Sequence, residues 1–254
     1  MSGLSGKTAR ASGASRGIGL YTAQRPARDG ARAGVHYGTN EAAAKETVAS
    51  IEADGGSAFA VQADLAQPHA AEALWTAFDE HADGADILVN NAGVVAYGRV
   101  GEVVEEDFDR LFAVNVNAVL FIIQQGLPRL RDGARIMNLS SSGAYIASPM
   151  ATMYTMTKGA INTLTRTLAW DLGERHVNVN AVAPGFTDTE MISWFADPVA
   201  KAWAAAQGVQ GRVGLPDDVG DTIAFLASDD ARWINGQVID ATGGGVLSVS
   251  KIAV

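Results

Sequence analysis

The chain has 254 residues, with 19 Lys plus Arg against 28 Asp plus Glu and a formal charge of −9. That balance, with no run of Lys or Arg, excludes the basic footprint of a nucleic-acid-binding surface. A hydrophobic share of 48% against 19% charged excludes a disordered chain, and the absence of cysteine excludes disulfides, thiolate nucleophiles and Cys-based metal sites.

In chain order, the start carries neither the basic segment nor the apolar run of a signal peptide. No apolar stretch reaches the roughly 18 residues of a membrane span, so a cytoplasmic protein with no membrane partner is expected. Short apolar runs predict strands over 7–12, 32–37, 57–62, 86–89, 134–140, 177–183 and 237–240. Between them, helices are predicted over 18–28, 40–53, 69–81, 105–130, 151–174 and 217–227. Strand and crossover helix repeated this often imply an α/β fold: a doubly wound, mostly parallel sheet of seven strands with helices on both faces. With no linker and no internal repeat, residues 1–254 read as a single domain. Only 184–214 departs from the alternation, as an aromatic segment between the sixth strand and the next helix.

Two residues conflict with this pattern. Arg10 falls in the first strand, which a doubly wound sheet buries, so its guanidinium is expected to snorkel to the strand end. Pro26 falls inside the first helix, which is expected to stop near Arg25 because proline removes a backbone donor and clashes with the Thr22 carbonyl. His36, His69, His81 and His176 lie without ligand spacing, and no metal is expected.

Ser12-Gly13-Ala14-Ser15-Arg16-Gly17-Ile18-Gly19 joins the first strand to the first helix. Glycines there permit a tight turn and a close approach of phosphate to backbone, and the helix N-terminus offers free N–H groups. A dinucleotide is therefore expected. NAD sites place an acid at the end of the second strand, but this chain reads His36-Tyr37-Gly38-Thr39-Asn40. Arg16, Thr39 and Asn40 could bind a 2′-phosphate that an acid would repel, so NADPH/NADP+ is expected ahead of NADH. Thr39 and Asn40 also read as an N-cap for the next helix, and both roles can coexist.

Tyr154 and Lys158, four apart on a predicted helix, share a face. A neighbouring ammonium favours the phenolate, so the pair is expected to bring the tyrosine towards working pH as a general acid/base. Ser141 lies upstream, just past the fifth strand, at the carboxyl end of the sheet where open α/β folds place ligands.

These residues resemble the classical short-chain dehydrogenases/reductases, in particular the subgroup similar to 3-oxoacyl-(acyl-carrier-protein) reductases, over essentially the whole chain. Gly13-x-x-x-Gly17-x-Gly19 is similar to the family's cofactor loop, with Ser12 where threonine is usual. Asp64-Leu65 resembles the adenine-contacting pair, and Asn90-Asn91-Ala92-Gly93 the motif that supports the central sheet and the cofactor. Asn115, Ser141, Tyr154 and Lys158 fall where the family's catalytic tetrad falls. Pro184-Gly185 with Thr189 resembles the stretch that contacts the nicotinamide carboxamide, and Ser15, Ile18, Tyr37 and Thr187 join the expected cofactor contacts. Ile234-Asn235-Gly236-Gln237 and Gly243-Gly244 are similar to the C-terminal signature.

The resemblance implies a Rossmann-type fold and an NADP(H)-dependent ketoreductase. Tyr154 would give a proton to the carbonyl oxygen as hydride reaches the carbon, and Ser141 would hydrogen-bond that oxygen. Lys158 would lower the tyrosine's pKa and bind the nicotinamide ribose, and Asn115 would hold a water linking Lys158 to solvent.

Phe186, Met191, Trp194, Phe195 and Trp203, with Met150 and Met153 ahead of Tyr154, predict a bulky apolar, aromatic or acyl ketone beneath a substrate lid at about 186–212. Arg129 and Arg131 read as ending a long helix, where they would complement its dipole or meet an acidic carrier. Leu111, Phe112, Leu120, Ile161, Leu164 and Leu168 put apolar residues on more than one face of two helices, and the family commonly pairs these helices. A homo-oligomer, dimer or tetramer, is expected. Two alternatives stay open: an NAD-dependent secondary-alcohol dehydrogenase, and a family-like scaffold with impaired cofactor binding that acts as a binding protein.

Overall fold

A computed structural model describes residues 3–247. Short apolar runs form β1 (Thr8–Ala11), β2 (Arg32–Tyr37), β3 (Ser57–Gln62), β4 (Ala85–Asn90), β5 (Leu130–Leu139), β6 (Asn178–Pro184) and β7 (Val238–Ala241). Among the described residues these make one parallel sheet in the order β3-β2-β1-β4-β5-β6-β7, the expected doubly wound single domain. The helices α1 (Gly17–Arg28), α2 (Glu41–Ala53) and, near the C-terminus, Pro216–Ala227 cover one face. On the other lie α3 (Ala70–Asp79), α4 (Glu105–Phe112), α5 (Ala118–Gly126) and α6 (Thr152–Asp171). A further helix, α7 (Pro198–Gln207), precedes the C-terminal one, which is α8.

Successive strand residues point to opposite faces, so both layers draw on the same strands. Ile87 and Val89 of β4 pack towards α1 and α8, whereas Leu88 between them packs towards α3 and α5. Chain order reverses between β1 and β4, which opens a crevice at the carboxyl ends of the strands.

The predicted helix over 105–130 is interrupted. A π turn, Ala113–Asn117, separates α4 from α5, and β5 begins at Leu130. Helix α5 ends where Gly126 lies against Trp75: a Cβ there would stand 2.6 Å from Cζ2 of that ring. Pro128 follows and disfavours helix in the residue before it. Arg129 and Arg131 therefore do not end a helix. Arg129 pairs with Asp79 at 2.6 Å, and Arg131, on β5, pairs with Asp83 at 2.9 Å and Asp86 at 2.6 Å.

Helix α1 does not stop at Arg25 but runs through Pro26 to Arg28. Proline stands in the last turn, so few ladder bonds are affected. Its ring is buried, and its carbonyl accepts the Ala31 N–H at 2.9 Å. Arg10 does not snorkel. It is wholly buried, with Nη2 donating to Asn90 Oδ1 at 3.3 Å and the guanidinium 5.1 Å from the Trp75 ring centroid. Among the described residues, its Nε and Nη1 have no hydrogen-bond partner, and burial pushes the group down to about 9. The strand is too deep in the sheet for the side chain to reach water, so the ring face of Trp75 takes the place of solvent. No helix among the described residues is long and apolar enough to cross a membrane.

Candidate active site

The loop between β1 and α1 is shaped by its glycines. Gly13 and Gly17 have φ of +63° and +54°, where a side chain is strained. A Cβ on Gly19 would lie 2.0 Å from the Gly13 carbonyl oxygen, so α1 starts directly against the turn. The N-cap, Arg16, makes no side-chain cap bond, and the first turn of α1 carries no acid. Its leading N–H groups thus suit an external anion such as a pyrophosphate. The Ser12 hydroxyl is engaged: Oγ accepts the N–H groups of Asn91 and Ala92, both at 3.0 Å. Asn91 Nδ2 returns bonds to the carbonyls of Ser12 and Gly13 at 2.9 and 3.1 Å. The Asn91-Ala92-Gly93 segment is thereby clasped to the loop.

At the end of β2, Asn40 caps α2, its Oδ1 accepting the Ala43 N–H at 3.0 Å, while Thr39 is exposed and Tyr37 half-buried. Arg16 reaches the other way, to Glu190 at 3.0 Å. Past β3, Asp64 accepts the Ala66 N–H at 3.0 Å, and Leu65 is buried. Ser15 and Ile18 flank the loop, both half-buried.

Tyr154 and Lys158 do share a face of α6. The Lys158 Nζ lies 5.5 Å from the Tyr154 ring centroid and donates to the Leu139 carbonyl at 2.7 Å. Ser141, just past β5, accepts the Gly143 N–H at 3.1 Å. Asn115 lies in the π turn. Its Oδ1 accepts the Val94 N–H at 2.8 Å, and its Nδ2 donates to the Val94 carbonyl at 2.9 Å and to Thr157 Oγ1 at 3.2 Å. Gly93 completes the group, since a Cβ there would lie 3.3 Å from Asn115 Oδ1 and 3.8 Å from Lys158 Nζ.

The expectation of an acidified tyrosine is not met. Burial pushes the Tyr154 phenol up to about 12, with the Ser141 hydroxyl pulling the other way, and pushes the Lys158 ammonium down to about 8. Desolvation opposes both charged forms, and the ammonium is directed at a carbonyl. The phenol therefore keeps its proton at neutral pH.

After β6, the segment is pinned at its base: Gly214 N–H donates to the Phe186 carbonyl and Asp188 N–H to the Gly214 carbonyl, both at 2.8 Å. Thr187 is buried and donates to the Gly185 carbonyl at 3.2 Å. Thr189 lies against the glycine loop, its methyl 3.4 Å from where a Gly17 Cβ would stand. Between the pins, Phe195, Ala204 and Val213 form a small core of their own, with Phe186 and Trp194 packed on it.

A family model described as Enoyl-(Acyl carrier protein) reductase matches residues 13–245. The chain belongs to the short-chain dehydrogenase/reductase family. It is similar to the solved angucycline C-6 ketoreductase LanV with bound NADP, with 44% identity, a TM-score of 0.93, and coverage of 98% of this chain and 99% of that one. It is also similar to the reductase LugOII, which catalyses keto-reduction at C1 during lugdunomycin biosynthesis, with 42% identity, a TM-score of 0.93 and coverage of 96% and 99%. Versicolorin reductase stcU of Emericella nidulans is 38% identical over 253 residues, 95% of this chain and 96% of that protein.

Two residues of this short-chain dehydrogenase/reductase escaped the sequence reading. Glu190 gave no signal, because its partner Arg16 is 174 positions away. His36 stands in the sequence as one of four scattered histidines, yet its Nδ1 accepts the Gly13 N–H at 3.0 Å and its carbonyl accepts the Ala14 N–H at 2.8 Å. A histidine beside a glycine loop at the end of a strand is the signal that was available.

Proposed function

We propose that the chain is an NADPH-dependent reductase of aromatic, fused-ring ketones, with Tyr154 as proton donor. The observation that carries this reading is the buried Lys158 Nζ 5.5 Å from the Tyr154 ring on one face of α6, with Ser141 just past β5. When bound, NADPH supplies the hydride to the carbonyl carbon. Tyr154 releases its proton to the carbonyl oxygen, and the charge of Lys158 stabilises the phenolate left behind. Ser141 Oγ, oriented by the Gly143 N–H, holds the oxygen in line. Asn115 ties Val94 to Thr157 and so keeps the tetrad in register, while the missing side chain of Gly93 leaves a way for water to Lys158.

In this reading Gly13, Ser15, Gly17, Ile18 and Gly19 cradle the pyrophosphate, and Arg16, Tyr37, Thr39 and Asn40 take the 2′-phosphoribose. Asp64 and Leu65 meet the adenine. Asn91, Ala92, Gly93, Pro184, Gly185, Thr187 and Thr189 line the nicotinamide side, where Lys158 also binds the ribose. What supports the substrate class is the aromatic content of the loops: Tyr97 after β4 and Tyr145 after β5 are exposed, and Phe186, Trp194 and Trp203 cluster after β6. The keto-reductions named for LanV and LugOII support a ketone substrate. Residues 186–212 act as a lid, and the working form is a homodimer or homotetramer.

The test is a substrate panel followed by NADPH absorbance, with a fused-ring aromatic ketone, a β-ketoacyl thioester, and secondary alcohols with NAD+. Fastest NADPH loss with the aromatic ketone is expected. Fastest loss with the thioester would move the substrate class, and turnover confined to alcohols with NAD+ would establish the dehydrogenase instead. Failure to bind NADP+ would leave the binding-scaffold reading.

A further inference from the structure

We propose that His36 is a positioning residue of the coenzyme site, a neutral imidazole that ties the phosphate turn at Gly13 to the adenine-side backbone at Ala63. The proposal rests on the coenzyme site described above. His36 ends the buried part of β2 and is itself only 2% exposed. Its Nδ1 lies 3.0 Å from the Gly13 nitrogen and its Nε2 lies 2.9 Å from the Ala63 carbonyl oxygen. A backbone N–H only donates and a carbonyl only accepts. Both bonds therefore exist together in one form alone, the tautomer with a bare Nδ1 and a proton on Nε2. An imidazolium would set its Nδ1–H against the Gly13 N–H.

The placement gives these bonds a purpose beyond filling a core. Gly13 is the left-handed residue on which the turn is built, and Ala63 directly precedes Asp64-Leu65. One side chain thus fixes the spacing between the two parts of the site that grip the two ends of the adenosine phosphate. The His36 carbonyl adds a third point by accepting the Ala14 N–H at 2.8 Å. The Gly13 and Ala14 N–H groups, both taken by His36, set the shape of the turn and leave the anion to the amides from Ser15 onward, while Gly13 serves the pyrophosphate through its missing side chain. A turn held in shape beforehand need not be ordered by the nucleotide, which lowers the cost of binding. Burial, and the charge of Arg10 from β1, push the imidazole down to about 4, so the bracing tautomer persists at neutral pH.

The test uses the full chain, titrated with NADP+ and with 2′,5′-ADP, and assayed for kcat at saturating NADPH. His36→Phe keeps a ring but removes both bonds, and His36→Gln keeps one acceptor and one donor. For His36→Phe the Kd of both ligands should rise about tenfold or more with kcat held within about twofold, and His36→Gln should recover most of the affinity. Unchanged affinity in His36→Phe, a loss of kcat alone, or equal losses in both variants would overturn the proposal. A parent chain that does not bind NADP+ would overturn the coenzyme reading, and this proposal with it. Should His36→Phe not fold, long-range 1H–15N NMR of the parent chain decides: an Nε2–H tautomer is expected, and an Nδ1–H tautomer or an imidazolium at neutral pH would overturn it.

Discussion

Arg16 and Glu190 form an ion pair, Nη1 to Oε2 at 3.0 Å, that joins the glycine loop to the segment after β6. Both side chains are mostly exposed, so the pair contributes little to stability. It does engage the guanidinium expected to meet a 2′-phosphate. Glu190→Gln should therefore lower the Kd of NADP+ about twofold to fivefold at low salt, leave NAD+ unchanged, and lose its effect at about 1 M salt. Equal changes for both nucleotides would show that Arg16 does not read the 2′-phosphate.

The pH dependence of reduction follows from the two shifted groups. The Tyr154 phenol, pushed up to about 12, keeps its transferable proton across the accessible range. Lys158, pushed down to about 8, is charged below that pH and neutral above it. With saturating NADPH, kcat should be level below pH 8 and fall as pH rises through it, as the charge that stabilises the phenolate is lost. Tyr154→Phe should lower kcat by about 10²- to 10⁴-fold while the Kd of NADP+ changes by less than about twofold.

Gly19 should not tolerate a methyl group. Its Cβ would overlap the Gly13 carbonyl oxygen, which belongs to backbone and cannot swing aside. Gly19→Ala should cost about 1–3 kcal/mol in urea unfolding and abolish measurable NADP+ binding, because the turn and the helix start can no longer meet.

Arg10 is a buried cation that has, among the described residues, two unpartnered nitrogens and no acid alongside. The Trp75 face and one bond to Asn90 only partly replace its lost hydration. Arg10→Met keeps most of the volume and removes the charge, so stability should rise by about 1–3 kcal/mol, read as a higher urea midpoint at unchanged slope. A lower midpoint would mean that the ring contact outweighs the desolvation.

The segment between the Phe186 and Gly214 pins carries its own small core, so it should close as a unit. Amide exchange across 188–213 should slow on addition of NADP+ and an aromatic ketone, with the pinned residues already protected in the free chain. Equal exchange with and without ligands would argue against a lid.

Local spacing by itself determined the alternation of strands and helices, the glycine loop, and the shared face of Tyr154 and Lys158. Strand burial, helical periodicity and the need for glycine at positive φ all act over a few residues, so they are legible in a linear chain. Tertiary structure alone decided where Arg10 would find a partner, that the helix over 105–130 would break at a π turn, and that Arg16 would face Glu190. It also made His36 a brace and kept the Tyr154 phenol protonated. Each of these depends on atoms brought in from distant segments, and desolvation in particular is a property of everything packed around a group. No spacing along the chain encodes that.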